Sequence, residues 1–307
     1  PQKHGLDLRM TPVSYTPAEG PESRPDGGRN ESLTEPAATP ARDQDALAIA
    51  RRFTDARRAG QALSEFPGRL PGSLAEAYAI QEVGIGLWPD EVAGWKIGKV
   101  PPAVQAEVGA TRLAGPIFRA SVQTPAAGQA GTFPMIPGGF AAVEAEVIVR
   151  VGRDAPANRL DWTAEEALDY VGEMLIGMEP AGSPLSVINE LGPKVVVSDF
   201  GNNAGLVLGP AIPGWRERAP ESLTCATLVN GVVVGTGSAD SLEGGPLGCF
   251  AWMLEHAARR GRPLRAGCLI TTGQLTGIHE VAPGDEAVVD FGPLGQVRCT
   301  ATIAQAK

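Results

Sequence analysis

Val143-Glu-Ala-Glu-Val-Ile-Val149 is the stretch from which the rest of the chain is best placed. Apolar and polar residues alternate with the period of two that belongs to a β-strand. Val143, Ala145, Val147 and Val149 share one face, while Glu144 and Glu146 share the other with backbones about 7 Å apart. Ile148 continues the acidic face, so that face is not simply turned to water. Two carboxylates on one face repel unless a cation or a proton lies between them. The pair alone fits two readings, an exposed edge strand with solvated acids or a cation site.

Outward from this strand the texture stays β-rich. Val195–Val197, Gly205–Leu208, Thr227–Val234, Cys268–Thr272, Glu286–Phe291 and Val297–Ile303 read as short strands bounded by Gly and Pro. Asn230-Gly231 between two apolar triplets is a hairpin turn signal. Two helices interrupt the series. One starts at the capping box Thr163-Ala-Glu-Glu166 and is expected to run towards Met178. The other spans about Leu247 to Arg260, with Gly261 as its stop.

Towards the N-terminus, helical spacing begins near Asp45 and a second helix opens at Ser73-Leu-Ala-Glu76. Gly94-Trp-Lys-Ile-Gly98 reads as a short strand, and residues 101–110 as a short helix. Residues 1–43 are rich in Pro, Gly and charge and are expected to form a disordered tail. Strands and helices do not alternate regularly, which disfavours a doubly wound sheet. The expected class is therefore α+β: a small helical N-terminal part at 44–125 followed by a β-rich catalytic body at 126–307.

The 307 residues carry a net charge of −9, which argues against binding a nucleic-acid backbone. Apolar runs fall short of the ~20 residues of a membrane helix, and no apolar leader segment is evident. The four cysteines, Cys225, Cys249, Cys268 and Cys299, are far apart with apolar neighbours, so they read as buried free thiols in a reducing, cytoplasmic compartment.

Several mechanisms lack their residues. There is no Walker A sequence and no nucleophile elbow, and Gly235-Thr-Gly237-Ser-Ala-Asp240 is not a dinucleotide fingerprint. Of the three histidines, His4 lies in the tail and His256 is expected on the solvent side of its helix. His279, in a Gly-rich loop, is the histidine left for function. A third acid, Glu179, is expected at the C-terminal end of the helix that starts at Thr163, where the macrodipole disfavours it and a cation would relieve it. Three carboxylates without His or Cys make a hard oxygen site that suits Mg²⁺ or Mn²⁺ rather than Zn²⁺. Lys96, flanked by Trp95 and Ile97, either snorkels from its strand or sits inside a site.

Taken with Ala77-Tyr-Ala-Ile-Gln81, Gly94-Trp-Lys-Ile-Gly98, Met178-Glu179, Gly237-Ser-Ala, Gly245-Pro246, Leu264-Arg-Ala-Gly267, Thr271-Thr-Gly273 and Pro283-Gly-Asp285, the chain resembles the fumarylacetoacetate hydrolase superfamily. Within it, the 2-keto-4-pentenoate hydratase and 4-oxalocrotonate decarboxylase branch is most similar, over roughly residues 70 to 303. The resemblance implies a mixed β-sandwich roll, assembly as a homo-oligomer, and a small 2-oxo acid substrate from aromatic-compound catabolism. It implies that Glu144, Glu146 and Glu179 bind the metal, that Lys96 and Glu146 serve catalysis, and that Lys96, Thr272 and Gly273 lie beside the substrate. Two departures stand out. Hydratase relatives carry an acid after the segment matched by Gly115-Pro-Ile-Phe118, where this chain has Arg119, Ala120 and Ser121. Their D-N-A-S segment is altered here to Asp199-Phe-Gly-Asn202-Asn203. The expected activity is hydration of a 2-hydroxy-2,4-dienoate. The alternatives are decarboxylation of an oxalocrotonate-type acid, hydrolysis of an acylpyruvate, or a catalytically silent scaffold subunit.

Overall fold

Glu144 and Glu146 lie at the centre of a twelve-residue strand, Phe140–Val151, that has a neighbour on either side. The computed structural model describes residues 40–306. In chain order its helices are α1 (Pro40–Ala59), α2 (Leu74–Leu87), α3 (Pro102–Val108), α4 (Ala164–Leu168), α5 (Pro193–Ser198) and α6 (Gly245–Arg259). The strands are β1 (Val92–Lys99), β2 (Arg112–Phe118), β3 (Val122–Gln123), β4 (Gly131–Met135), β5 (Phe140–Val151), β6 (Val171–Ser183) and β7 (Leu206–Ala211). They continue with β8 (Thr224–Val229), β9 (Val232–Ser238), β10 (Leu269–Thr271), β11 (His279–Glu280), β12 (Glu286–Asp290) and β13 (Gln296–Ile303). The expected tail, residues 1–43, lies outside the described residues except for its last four, which open α1.

The larger sheet runs β2-β1-β10-β5-β6-β7-β3, with β11 paired to β5. Only residues 119–121 separate β2 at one edge from β3 at the other, so the mixed sheet has to curl. The smaller sheet runs β4-β13-β12-β8-β9, with β8 and β9 joined at Asn230-Gly231 as the hairpin signal requires. The α+β, β-rich class holds, but helices are not confined to the N-terminal part, since α4, α5 and α6 fall within the body. Residues 44–125 in turn supply β1 and β2 to the larger sheet, and the described residues, 40–306, belong to one compact unit.

The period of two in β5 sorts its side chains between separate cores. Ala141, Val143, Ala145, Val147 and Val149 pack between the sheets against Ala287, Val289, Val297 and Ala301 and the buried face of α6. On the opposite face, Phe140 and Ala142 join the cluster of α1, α2 and α5, and Ile148 joins one with Ile117, Leu175, Leu206, Leu208 and Leu269. Glu144 and Glu146 occupy the gap between those two apolar clusters. The site is thus a polar layer sandwiched in a core.

Three local expectations are corrected. The capping box at Thr163 forms with both of its hydrogen bonds, but the helix it opens ends at Leu168, and residues 171–183 are strand β6. Residues 171–178 form an apolar run that suits a fully buried strand as well as a helix. The tight packing of the strand decides the matter. A Cβ at Gly177 would lie 2.0 Å from Ile148 Cδ1, and one at Gly172 would meet the Cα of Gly152 at 2.8 to 2.9 Å in either direction. Val195–Val197, expected as a strand, belongs to α5, because Pro193 starts a helical turn and the valines bury against α2. His256 is not on the solvent side of α6. Its ring stacks on Trp252 at 4.6 Å between centroids and leans against Tyr78 at 5.1 Å.

Among the described residues, no helix is long and apolar enough to cross a membrane. All four cysteines are free, three of them buried and Cys268 half-buried. Burial pushes the thiols of Cys225, Cys268 and Cys299 up to about 12, which leaves them unreactive.

Candidate metal centre

Each acid of the site is carried on a strand in the middle of the curled sheet. In the antiparallel register of β5 and β6, Glu144 is paired directly with Glu179, and Glu146 with Gly177. The space left by the missing side chain at Gly177 is filled by Ile148, whose Cδ1 lies 2.0 Å from where a Cβ would stand. Glu179 is therefore not at a helix end, and the macrodipole plays no part in its chemistry. What the acid faces is two other carboxylates: one oxygen of each of Glu144, Glu146 and Glu179 lies within 4.8 Å of the others. All three side chains are buried. In β1, Lys96 is paired with Thr271 of β10 and projects onto the same face, where its Nζ lies 3.3 Å from Glu179 Oε1.

A set of neutral donors fixes this cluster. Asn203 Nδ2 donates to Glu179 Oε1 at 3.0 Å, and Thr271 Oγ1 donates to Glu179 Oε2 at 3.1 Å. The backbone N–H of Gly273 donates to Glu146 Oε2 at 2.7 Å. Lys96 Nζ also donates to Asn202 Oδ1 at 3.3 Å. Glu144 Oε1 and Glu146 Oε1 remain, both buried and both without a hydrogen-bond partner. Buried carboxylate oxygens are costly to leave unpaired. One lysine cannot neutralise three carboxylates either.

The protonation tendencies record that imbalance. Burial pushes Glu144 up to about 7 against the opposing charge of Lys96, with Glu179 adding to the rise. Burial, followed by the charges of Glu179 and Glu144, lifts Glu146 well above the carboxylate range, with the Gly273 N–H and Lys96 pulling the other way. For Lys96, burial works against the ammonium, yet Glu179, Glu144 and Glu146 outweigh it and raise its pKa above the ordinary lysine value. A divalent cation fits this arrangement: the donors are all oxygen, two are orphaned, and the charge in excess is negative.

Of the residues singled out from the sequence, Glu144, Glu146, Glu179 and Lys96 converge. Gly273 joins them through its backbone. Thr272 does so less directly, because its hydroxyl donates to Val147 O at 2.8 Å. His279 is elsewhere, on β11, with Nε2 3.1 Å from Thr276 O. Thr271, Asn202 and Asn203 were missed as polar partners of the acids. Thr271 sits in a quoted segment, and the two asparagines in the altered Asp199–Asn203 segment. That segment has an unusual backbone, with Phe200, Gly201 and Asn202 all at positive φ (57°, 66° and 54°).

A clamp holds this segment from α1. Arg57 Nε and Nη2 reach the two carboxylate oxygens of Asp199 at 2.6 and 2.9 Å, while Nη1 and Nη2 donate to Asn203 O and Gly182 O. Ser183 Oγ donates to Asp199 Oδ2 at 2.6 Å. The place after Phe118, where an acid is missing from the sequence, is served from the turn ahead of β1. There Asp90 Oδ2 accepts from the Ala120 N–H at 2.8 Å, and both residues line a cavity of about 840 Å³ that reaches Asn203.

Residues 118–302 match the fumarylacetoacetate (FAA) hydrolase C-terminal family. The chain is 27% identical over 264 residues to a 2-keto-4-pentenoate hydratase of Burkholderia vietnamiensis (strain G4 / LMG 22486), covering 85% of this chain and 98% of the relative. It is 31% identical to a 4-oxalocrotonate decarboxylase of Pseudomonas putida over 102 residues, 33% of this chain and 39% of that one. A solved 4-oxalocrotonate decarboxylase from Pseudomonas putida G7, complexed with magnesium and adipate, matches with a TM-score of 0.71 at 22% identity. The match covers 89% of this chain and 100% of that chain. At that identity the likeness speaks for the fold.

Proposed function

The chain belongs to the fumarylacetoacetate hydrolase family, within its 2-keto-4-pentenoate hydratase and 4-oxalocrotonate decarboxylase branch, and on that premise we propose a metal-dependent lyase of small 2-oxo acids that hydrates a 2-hydroxy-2,4-dienoate. The observation that carries the proposal is the buried trio of carboxylates with unpartnered oxygens on Glu144 and Glu146, beside one lysine. Glu144, Glu146 and Glu179 would hold Mg²⁺ or Mn²⁺, which supplies Lewis-acid polarisation of a 2-oxo group and offsets the charge of the acids.

The chain's own residues would do the rest. Gly273 N–H, Asn203 Nδ2 and Thr271 Oγ1 fix which carboxylate oxygens are spent and which point inward. Lys96 Nζ, 3.3 Å from Glu179 Oε1, would stand beside the substrate, where it can hold or hand on a proton at a substrate oxygen. Asn202 Oδ1 aims that ammonium. Burial of all four charged groups keeps bulk water from screening them. In this reading the substrate derives from aromatic-compound breakdown, and the chain assembles as a homo-oligomer, which light scattering would check.

Glu146→Gln is expected to abolish turnover of a 2-hydroxy-2,4-dienoate, and EDTA to do the same to the wild type. Full activity in either case would end the proposal. Product analysis separates the chemistries within the class: a 4-hydroxy-2-oxo acid signals hydration, CO₂ decarboxylation, and two acids C–C hydrolysis.

A further inference from the structure

We infer that a cavity beside the strand pair β1–β2 is a binding site for a small, doubly charged oxyanion, separate from the acid cluster. The cavity, of about 160 Å³, lies where the end of β1, the turn after β10 and the segment before α6 meet. Ile97 and Lys99 line it, and the alternation of a strand puts both on the face of β1 opposite Lys96. None of the three acids lines it. Pockets for organic ligands run to about 300–1,000 Å³, so this smaller space suits an ion of a few heavy atoms.

Two cations line it, Lys99 and Arg112, and they are direct cross-strand partners in the antiparallel register of β1 and β2. Like charges set opposite each other on neighbouring strands repel. Charges on an edge strand can serve to keep other strands away, but that role asks for solvated side chains. The Arg112 side chain is only 15% exposed. Its surroundings do not neutralise it. Nη2 is held by the backbone oxygen of Glu243 at 2.6 Å, while the Glu243 carboxylate is 3.9 Å away and 80% exposed. The neighbouring Cys249 thiol carries no charge, since burial raises its pKa. Lys99 makes no ion pair or hydrogen bond through its ammonium among the described residues.

An ion between the two cations relieves that repulsion. The guanidinium offers a planar fork that matches two oxygens of an oxyanion, and the ammonium a point charge for a third. Thr111 and Gln274 add a hydroxyl and a side-chain amide to the lining, and Gln274 uses its Oε1 on the Gly277 N–H at 2.5 Å, which leaves its amide nitrogen to donate. A dianion balances both charges, whereas a single carboxylate leaves one over. Ile97, Leu242 and Leu275 supply the apolar part of the wall, which lowers the local dielectric and strengthens the attraction. The opposing charge in the lining, the Glu243 carboxylate, is turned largely to water.

Calorimetric titration of the metal-free full chain with inorganic phosphate tests the inference, and it is independent of the 2-oxo acid reading above. At low salt the wild type is expected to bind one phosphate with a dissociation constant of about 1 mM or below, and acetate about tenfold more weakly. Phosphate affinity should fall about tenfold in Arg112→Met and in Lys99→Met, the latter at an exposed position where folding is not at stake. Arg112→Lys should keep part of it. Glycerol 3-phosphate should bind more weakly than phosphate, because the apolar wall offers its hydroxyls no partner. The reverse order would assign the site to a phosphate carried on a larger molecule and overturn the free ion. No binding of phosphate by the wild type, equal binding of acetate, or wild-type affinity in both methionine variants overturns the site itself.

Discussion

Lys96 is the cation that the structure gives the acid cluster, and its contribution is greatest before any metal binds. In Lys96→Met three buried carboxylates lose their counter-charge, and removing one partner from a buried pair costs about 3–5 kcal/mol. Urea unfolding in EDTA should show that loss, and added Mg²⁺ should restore part of it. His256 makes a second prediction at this scale. Burial, and then the charge of Arg260, lowers its pKa to about 3, and its Nε2 is buried without a hydrogen-bond partner. The unfolded chain takes up a proton there below pH ~6.5 while the folded chain does not. The neutral ring's contribution is therefore present above pH ~6.5 and is lost as the pH falls towards 3, at up to about 1.4 kcal/mol per pH unit. His256→Gln should flatten that part of the stability profile. An unchanged slope would show that the imidazole accepts its proton in the folded state.

At the scale of elements, β6 and the Asp199–Asn203 segment decide whether the residues of the site meet. Strand β6 can approach β5 closely because Gly177 has no side chain. Gly177→Ala would drive a methyl group into Ile148 Cδ1 and towards Val207 O at 3.2 Å. Overpacking of this kind costs about 1–3 kcal/mol, visible as a lower melting temperature. The 199–203 segment is held in its left-handed conformation from a distance by Arg57 of α1. Arg57→Met would strand the buried Asp199 carboxylate, again at a cost of about 3–5 kcal/mol. It should also weaken metal binding, because Asn202 and Asn203 would no longer be held against Lys96 and Glu179. Metal affinity measured by calorimetry in Arg57→Lys and Arg57→Met checks the second effect apart from the first.

For the whole molecule, the metal and the fold are linked. The acids come from two strands of one sheet and are balanced by a lysine from a third, so a cation that binds them binds only the folded chain. Such a ligand stabilises the fold by about 2.7 kcal/mol when present at one hundred times its dissociation constant. Thermal unfolding of the wild type should shift upward with Mg²⁺ or Mn²⁺ and downward with EDTA, and Glu146→Gln should show little response. A wild-type melting point indifferent to both would mean that the acids do not share an ion.

The amino-acid sequence by itself determined the pleat of β5, and with it the fact that Glu144 and Glu146 share a face, because the alternation of side chains is a local property of a strand. It likewise placed the Asn230-Gly231 hairpin, the capping box at Thr163, the buried thiols and the β-rich class, all set within a few residues. Glu179 was joined to the pair by a helix-end argument that strand β6 overturns, Lys96 by its apolar neighbours, and the resemblance in ordered motifs gave both their roles. Tertiary structure alone decided the rest. The run from Val171 to Met178 suits a helix or a buried strand equally until β5 and β7 lie beside it, so the setting of Glu179 could not be read locally. Thr271, Asn202 and Asn203 reach the acids through long-range strand pairing and a clamp from α1, and neither leaves a periodic trace. The opposition of Lys99 and Arg112 depends on the register of β1 against β2. Pairing across a sheet is settled by how whole faces pack, and no short window of sequence contains that information.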